Sequence, residues 1–215
     1  MIRVRKSAIV PQSLTTTSAY DGEDVKKQLL EDQYDKCYLC ERSCCTDFQV
    51  EHHKSKSEGH FPELRQDWNN LFMGCSYCNG KKSDIFDDTL YPATINIEDE
   101  IEQRIDFLNK KAVFSSNTND NQHKQTIGLL SRIHNGTNTL RRIKEERFIE
   151  YVISVVNSFL ALIMNYQEHP SIETENAVRR ELCIDKEMLG FKYWIIKDNP
   201  QLYAVFKDDI KWNKQ

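Results

Sequence analysis

Hydrophobic residues recur at helical spacing through the last part of the chain. From Leu140 to Tyr166 they follow one another mostly at steps of three and four residues, which predicts one long amphipathic helix. A shorter helix is predicted over 126–134, because Asn135-Gly136 is a typical helix stop. Short helices are also predicted within 19–36 and over 97–109. The aromatic-rich segment 191–206 is interrupted at Asn199-Pro200.

The stretch 37–86 has a different pattern. Phe48 and Val50 alternate with polar residues, which predicts a strand over 48–53, and 68–74 is predicted to return as a second strand. Cys78 to Lys82 is predicted to enter a short helix. The predicted fold is α+β and mostly α-helical. It has an N-terminal arm with a short helix (1–36), a small ββα module (37–90), and a helical C-terminal region (91–215) that is a candidate surface for partner docking.

Composition and charge narrow the class of protein. Of the 215 residues, 39% are hydrophobic and 29% are charged, which is typical of a soluble globular chain. The most apolar run, 151–164, is interpreted as too short to span a bilayer, and the first residues lack the apolar segment of a signal peptide. A cytoplasmic protein with no membrane contact is therefore predicted. The net charge of −4 means that nucleic acid would have to be attracted by local basic patches or by a partner.

Four of the seven cysteines form two C-x2-C units, Cys37/Cys40 and Cys75/Cys78. In a reducing compartment such pairs are more often metal ligands than disulfides, and two pairs complete a tetrahedral shell that suits a structural Zn²⁺. Cys44 and Cys45 are nearby and could compete as metal ligands, but they are interpreted as loop or packing residues. Cys183 is predicted to be a small buried hydrophobe.

Polar residues between the two cysteine pairs suggest chemistry on a phosphodiester. Glu51, His52, Asn70 and Asn79 could converge in a small cleft. A neutral histidine can take a proton from water, and a divalent cation held by carboxylate and amide oxygens can neutralise a leaving oxygen. Nearby lysines are candidate phosphate contacts, although a solvated basic surface explains them about as well: Lys54, Lys56, Lys81 and Lys82.

These residues give the stretch a specific resemblance. Glu51-His52, Asn70-Leu71 and Cys75-Ser-Tyr-Cys78-Asn79 resemble the pattern of the HNH (ββα-metal) endonuclease family. VEHHKSKS, IHNGTNTLRRI (133–143) and FKYWIIKDNP (191–200) look like the Septu- and retron-associated PtuB branch of that family. That branch is usually encoded beside an ABC-type ATPase (PtuA-like) and serves anti-phage defence. The resemblance covers most of the chain.

The resemblance implies a role for each residue of the motif. His52 matches the general base, Glu51 the acidic ligand of a catalytic Mg²⁺ or Mn²⁺, and Asn79 the last ligand position. Asn70 matches the residue that orients the base. His53 remains the alternative base, but neighbouring side chains on a strand point to opposite faces, so only one ring can face the metal. Glu51 is longer than the Asp that is common in the family, and Asn79 stands where many members have His.

Two functions from different classes remain open. The first is a metal-dependent endonuclease, with DNA favoured over RNA as the substrate, acting as the effector of an antiviral defence complex with the ATPase. The second is a zinc-stabilised module that binds nucleic acid or protein without catalysis. The cysteines fit both functions, whereas Glu51, His52, Asn70 and Asn79 favour the enzyme, because a zinc ribbon does not need them.

Overall fold

The computed structural model describes residues 1–44, 46–138 and 140–212, and about half of the chain is helical. The helices are α1 (Ser13–Thr16), α2 (Glu23–Gln33), α3 (Ser76–Lys82), α4 (Ile97–Glu100), α5 (Asn121–Asn135), α6 (Ile143–Glu168), α7 (Ile172–Glu181), α8 (Leu189–Lys197) and α9 (Pro200–Phe206). The strands are β1 (Gln49–His52), β2 (Leu71–Gly74), β3 (Glu102–Asp106) and β4 (Lys111–Ser115). They form two separate two-stranded sheets, so the α+β prediction is confirmed.

The first sheet is an antiparallel pair in which Val50 lies opposite Met73 and Glu51 lies opposite Phe72. Both faces are covered. Val50 and Met73 pack with α1 and α2, whereas Phe72 lies in the main core with the cysteines. This double burial explains why β2 is apolar at every position before its glycine. Helix α3 follows directly, so the predicted order of strand, strand and helix is present in the segment 37–90.

The second sheet corrects the predicted helix over 97–109. Only Ile97–Glu100 is helical, and β3 follows it and pairs antiparallel with β4. Ile97, Ile101 and Ile105 repeat every four residues, as a helix would require, but Ile101, Gln103 and Ile105 also alternate. The predicted helix over 126–134 is likewise too short at its start. Helix α5 already begins at Asn121, where the Asp120 side chain accepts a hydrogen bond from the His123 backbone N–H.

The helical region shares its core with the ββα segment. Phe72 and the buried cysteines belong to the same cluster of side chains as Phe148 of α6 and Phe191 of α8. Tyr77 of α3 stacks on Phe148, with 4.7 Å between ring centroids. A second cluster joins the C-terminal half of α6 to α7, α8 and α9. The predicted boundary at residue 90 therefore separates sequence segments that are packed together.

Helix α6 is the one described helix that is long and apolar enough to cross a membrane by length and composition. The apolar run 151–164 lies inside this longer helix, and the predicted absence of membrane contact stays a prediction. The same test is passed by core helices, and α6 buries Phe148, Val152 and Phe159 in the two clusters. Its outward line carries polar residues such as Ser154 and Asn165, which is typical of an amphipathic helix at an aqueous surface.

Candidate metal centre and active-site cleft

The four cysteines of the two C-x2-C units form one cluster. Their Sγ atoms all lie within 4.8 Å of one another, and all four residues are buried. Cys37 and Cys40 belong to a tight turn that is closed by the Glu41 N–H donating to the Cys37 carbonyl at 2.8 Å. Cys75 caps α3, where its Sγ accepts a hydrogen bond from the Cys78 N–H. The cluster therefore joins the segment before β1 to the start of α3.

The cluster fits a structural Zn²⁺. Zn–S bonds of about 2.3 Å in a tetrahedron place two sulfurs about 3.8 Å apart, and the Sγ atoms of Cys40 and Cys75 are separated by 3.9 Å. Cys44 is not one of the four and is buried beside them, with its Sγ 3.3 Å from the Arg42 carbonyl oxygen and in contact with Cys37 and Cys75, and Cys45 lies outside the described residues. Cys183 is exposed rather than buried, because the neighbouring Leu182 fills the core.

A polar cleft lies beside this cluster. Glu51 and His52 at the end of β1 and Asn79 on α3 line it together, along with Lys56 and Lys82. The end of β1 and one turn of α3 thus bring three of the four predicted catalytic residues into one cleft. The fourth, Asn70, lines a different cleft, together with His53.

His52 is held in one orientation. Its Nε2 lies 2.9 Å from the Arg65 carbonyl oxygen, which can only accept a hydrogen bond, so Nε2 carries the proton. Nδ1 is then the unprotonated nitrogen, and its described neighbour is the Lys56 ammonium at 3.5 Å. Burial lowers the pKa of His52 to about 4. The ring is therefore neutral at physiological pH and offers Nδ1 as a base.

Glu51 and Lys82 form a buried ion pair. The Lys82 Nζ lies 3.3 Å from a Glu51 carboxylate oxygen and donates a hydrogen bond of 2.9 Å to the His52 carbonyl. Only 1% of Lys82 and 8% of Glu51 is exposed. Burial raises the pKa of Glu51, and the Lys82 charge opposes that change. Lys82 therefore lies inside the site and not on its surface.

The two asparagines have different places. The Asn79 side-chain N–H donates to the Gln49 side chain at 2.6 Å, which leaves its oxygen to act as a cation ligand. The Asn70 side chain bonds the Lys54 backbone at 2.7 and 2.9 Å and the Leu64 carbonyl at 3.2 Å. Asn70 thus fixes the segment between the strands. It was predicted to orient His52, but the group that bonds the His52 ring is the Arg65 carbonyl.

His53 faces the opposite side of the strand. Its Nε2 lies 3.1 Å from the Thr89 hydroxyl, and its ring packs against Tyr91 and Phe72. Only 4% of the residue is exposed, and burial lowers its pKa to about 4 as well. His53 lines a second cleft that Glu51 and Asn79 do not line. His52, and not His53, therefore lines the cleft with Glu51 and Asn79, and its role as the base stays a prediction.

The other predicted phosphate contacts have partners within the chain. Lys81 pairs with Glu145 of α6, and the Lys54 Nζ lies 4.7 Å from the centroid of the Phe61 ring. The Lys56 Nζ lies 3.6 Å from the centre of the Tyr20 ring, which itself contacts His52 edge-on at 4.7 Å. Lys56 is the predicted contact that lies nearest the base. Binding of phosphate by any of these lysines stays a prediction.

Two contributors to the site were not predicted. The Arg65 carbonyl is a backbone group, and no feature of the sequence singles it out. Tyr20 comes from the N-terminal arm with its short helix (1–36), to which no role in the cleft was assigned. The only sequence signal for Tyr20 was an aromatic residue just before the short helix.

No protein-family model matches the chain, and no curated protein matches it significantly.

Proposed function

We propose that this protein is a metal-dependent endonuclease of the HNH type that hydrolyses phosphodiester bonds of nucleic acid. The observation that carries the proposal is the state of His52. A backbone carbonyl fixes the proton on Nε2, and Nδ1 faces a cleft that also contains Glu51 and Asn79. This arrangement is what base-assisted attack of water on a phosphate requires.

The residues divide the reaction between them. His52 Nδ1 takes a proton from water, and the water oxygen attacks the phosphorus while the bond to the leaving oxygen breaks. Glu51 and the Asn79 oxygen would hold Mg²⁺ or Mn²⁺, which would supply charge neutralisation for the leaving oxygen. Lys56 and Tyr20 cover the His52 ring and limit the access of bulk water to it.

Structural zinc in the cysteine cluster is part of the proposal. The cluster ties the chain before β1 to the start of α3; β1 itself carries Glu51 and His52, and α3 carries Asn79. A metal there would hold the catalytic cleft in shape without taking part in the reaction. We further propose, from the sequence resemblance alone, an antiviral defence role beside an ABC-type ATPase, with DNA favoured over RNA as the substrate.

A cleavage assay tests the proposal. Wild type and His52→Ala are each incubated with plasmid DNA and with total tRNA in Mg²⁺ or Mn²⁺, with and without any co-encoded ATPase. We expect the wild-type protein to cleave and His52→Ala not to cleave. The substrate that is cut identifies the class of nucleic acid. Zinc content and circular dichroism of His52→Ala should equal those of wild type.

The alternative is a zinc-stabilised binding module. The buried four-cysteine cluster favours it, because such clusters also occur in modules that only bind. Absence of cleavage under every condition, with zinc bound and the fold intact, would favour this alternative. Loss of zinc or of folding in His52→Ala would show that His52 is structural and would count against the enzyme.

A further inference from the structure

Lys82 stands out among the lysines of the cleft because its charge is almost fully removed from water. Its neighbour Lys81 keeps a 19% exposed side chain and reaches away from the cleft to Glu145. Lys82 turns inward from the last turn of α3, with 2% of its side chain exposed, and meets Glu51 and the His52 carbonyl. A buried charge is retained at such a position only if it is paired and hydrogen-bonded, and both conditions are met.

The position of this ammonium conflicts with that of a bound cation. Glu51 is the only carboxylate that β1 contributes to the cleft, and a divalent ion bound to it would lie within a few ångströms of the Lys82 charge. Two positive charges this close repel each other strongly where water is scarce. The divalent ion must therefore either displace Lys82 from Glu51 or bind in spite of it.

We propose that Lys82 is a positioning residue that competes with the divalent cation for Glu51. The inference rests on the proposed function, since it assumes that Glu51 is a cation ligand. In the metal-free protein Lys82 neutralises Glu51 and holds the end of β1 against α3, so the cleft keeps its shape without an ion. Because binding of a divalent ion must overcome this pairing, the affinity of the free protein for the ion is kept low.

The competition has a consequence for the order of binding. A phosphate group that enters the cleft brings negative charge, which offsets the repulsion between Lys82 and the ion. Substrate and cation should therefore each strengthen the binding of the other, as reciprocal coupling between two sites requires. In the free protein the cation site would be mostly empty at low concentrations of the ion.

Binding of Mn²⁺ to the whole protein, measured from the electron paramagnetic resonance signal of the free ion at pH 8, tests the proposal. Lys82→Met should bind Mn²⁺ at least tenfold more tightly than wild type, and Lys82→Arg should bind it as weakly as wild type. The matched control is Lys81→Met, which removes the adjacent charge outside the cleft and should leave the affinity within twofold. A lysine with a purely structural role would give weaker binding on removal, not tighter binding.

Unchanged or weaker Mn²⁺ binding by a folded Lys82→Met would overturn the proposal. Should that variant fail to fold, Lys82→Gln takes its place, because it can keep the hydrogen bond to the His52 carbonyl without the charge, and the same two outcomes apply. Glu51→Gln separates this inference from the function beneath it. If Glu51→Gln binds Mn²⁺ as well as wild type does, the cation site itself is wrong and the inference falls with it.

Discussion

His52 and His53 are neighbours in sequence, but the two faces of β1 give them different chemistry. Both rings are buried, both have a pKa lowered to about 4 by burial, and both are hydrogen-bonded through Nε2. The Nε2 of His52 meets a carbonyl, which fixes the proton, and its Nδ1 faces a polar cleft. The Nε2 of His53 meets a hydroxyl, and its ring lies against aromatic side chains. The surroundings of the second nitrogen, and not burial or pKa, make one histidine a candidate base.

The largest expected effect comes from a substitution that disrupts both faces of β1 together. In Cys75→Ser the cluster loses a ligand, whereas serine can still cap α3, so the substitution removes the link through the metal between the chain before β1 and α3. Structural zinc sites contribute about 10–16 kcal/mol of apparent binding free energy in small peptides, which exceeds the stability of most domains. We expect loss of zinc and of cooperative unfolding, measured by metal analysis and thermal denaturation.

Cys44→Ser is the control for that experiment, since Cys44 is a buried cysteine beside the cluster that is not one of its four ligands. It should keep its zinc and lose much less stability. A Cys75→Ser protein that unfolds at the wild-type temperature would mean that the cluster does not hold the hairpin.

The second effect separates the two faces. His52→Gln should lower the cleavage rate by about 10²–10⁴-fold, the usual contribution of a general base, because glutamine cannot take the proton. His53→Gln should retain cleavage per folded molecule. It should instead lower the free energy of unfolding by about 1–3 kcal/mol, since a flexible amide replaces the ring that packs against Tyr91 and Phe72 and must find hydrogen-bond partners in a buried place.

Cleavage kinetics and urea unfolding of the same two preparations check this prediction. The reverse pattern, with cleavage lost in His53→Gln and kept in His52→Gln, would exchange the roles of the two histidines. Loss of cleavage in both variants at full stability would show that the two histidines do not differ in their importance for cleavage.

How much of this site was predictable depends on whether its parts are side chains or backbone. The cysteine pairs are visible as spacing, and the alternation of β1 already separated His52 from His53. The Arg65 carbonyl and the inward turn of Lys82 were not predictable, because a backbone oxygen is the same at every position and a lysine beside another lysine gives no sign of which one is buried. Asn70 was predicted to converge on the cleft, but its side chain bonds backbone groups of Lys54 and Leu64, which the sequence does not single out either.

The fold shows a similar division. Helices α5 and α6 were both predicted from apolar spacing. The majority of their four ends lie within a few residues of the predicted positions. The segment 101–105 fits both a helical and a strand period, and only its pairing with β4 decides between them. Pairing with a distant segment is a tertiary property, so the local pattern could not have revealed it.

The third effect is a pH dependence of stability. His53 and His134 are both buried with a pKa lowered to about 4, against an ordinary value of 6.5. Between these values the unfolded chain binds protons that the folded chain does not, so stability is complete above pH 6.5 and is lost as the pH falls towards 4. Each histidine should add about 1.4 kcal/mol per pH unit to the slope of the free energy of unfolding against pH, over the middle of this window.

Urea denaturation at intervals between pH 4 and 7 measures this slope, and His53→Gln provides the comparison. In His53→Gln the free energy of unfolding should change less steeply with pH than in wild type, by the contribution of one histidine. Equal slopes for the two proteins would mean that His53 is protonated in the folded state, contrary to its surroundings.

The smallest effect concerns the hydrogen bond that holds His53 on its own face. Thr89→Val keeps the shape of the side chain but removes the hydroxyl, so His53 Nε2 loses a partner in a buried place. A lost hydrogen bond of this kind costs about 0.5–1.5 kcal/mol, and we expect a loss of that size in urea denaturation with no change in cleavage. In the His53→Gln background the same substitution should cost less, since the ring is already absent, and a double-mutant cycle measures the difference. An equal cost in both backgrounds would show that the hydroxyl does not act through His53. The second face of β1 would then be held by packing against Tyr91 and Phe72 alone.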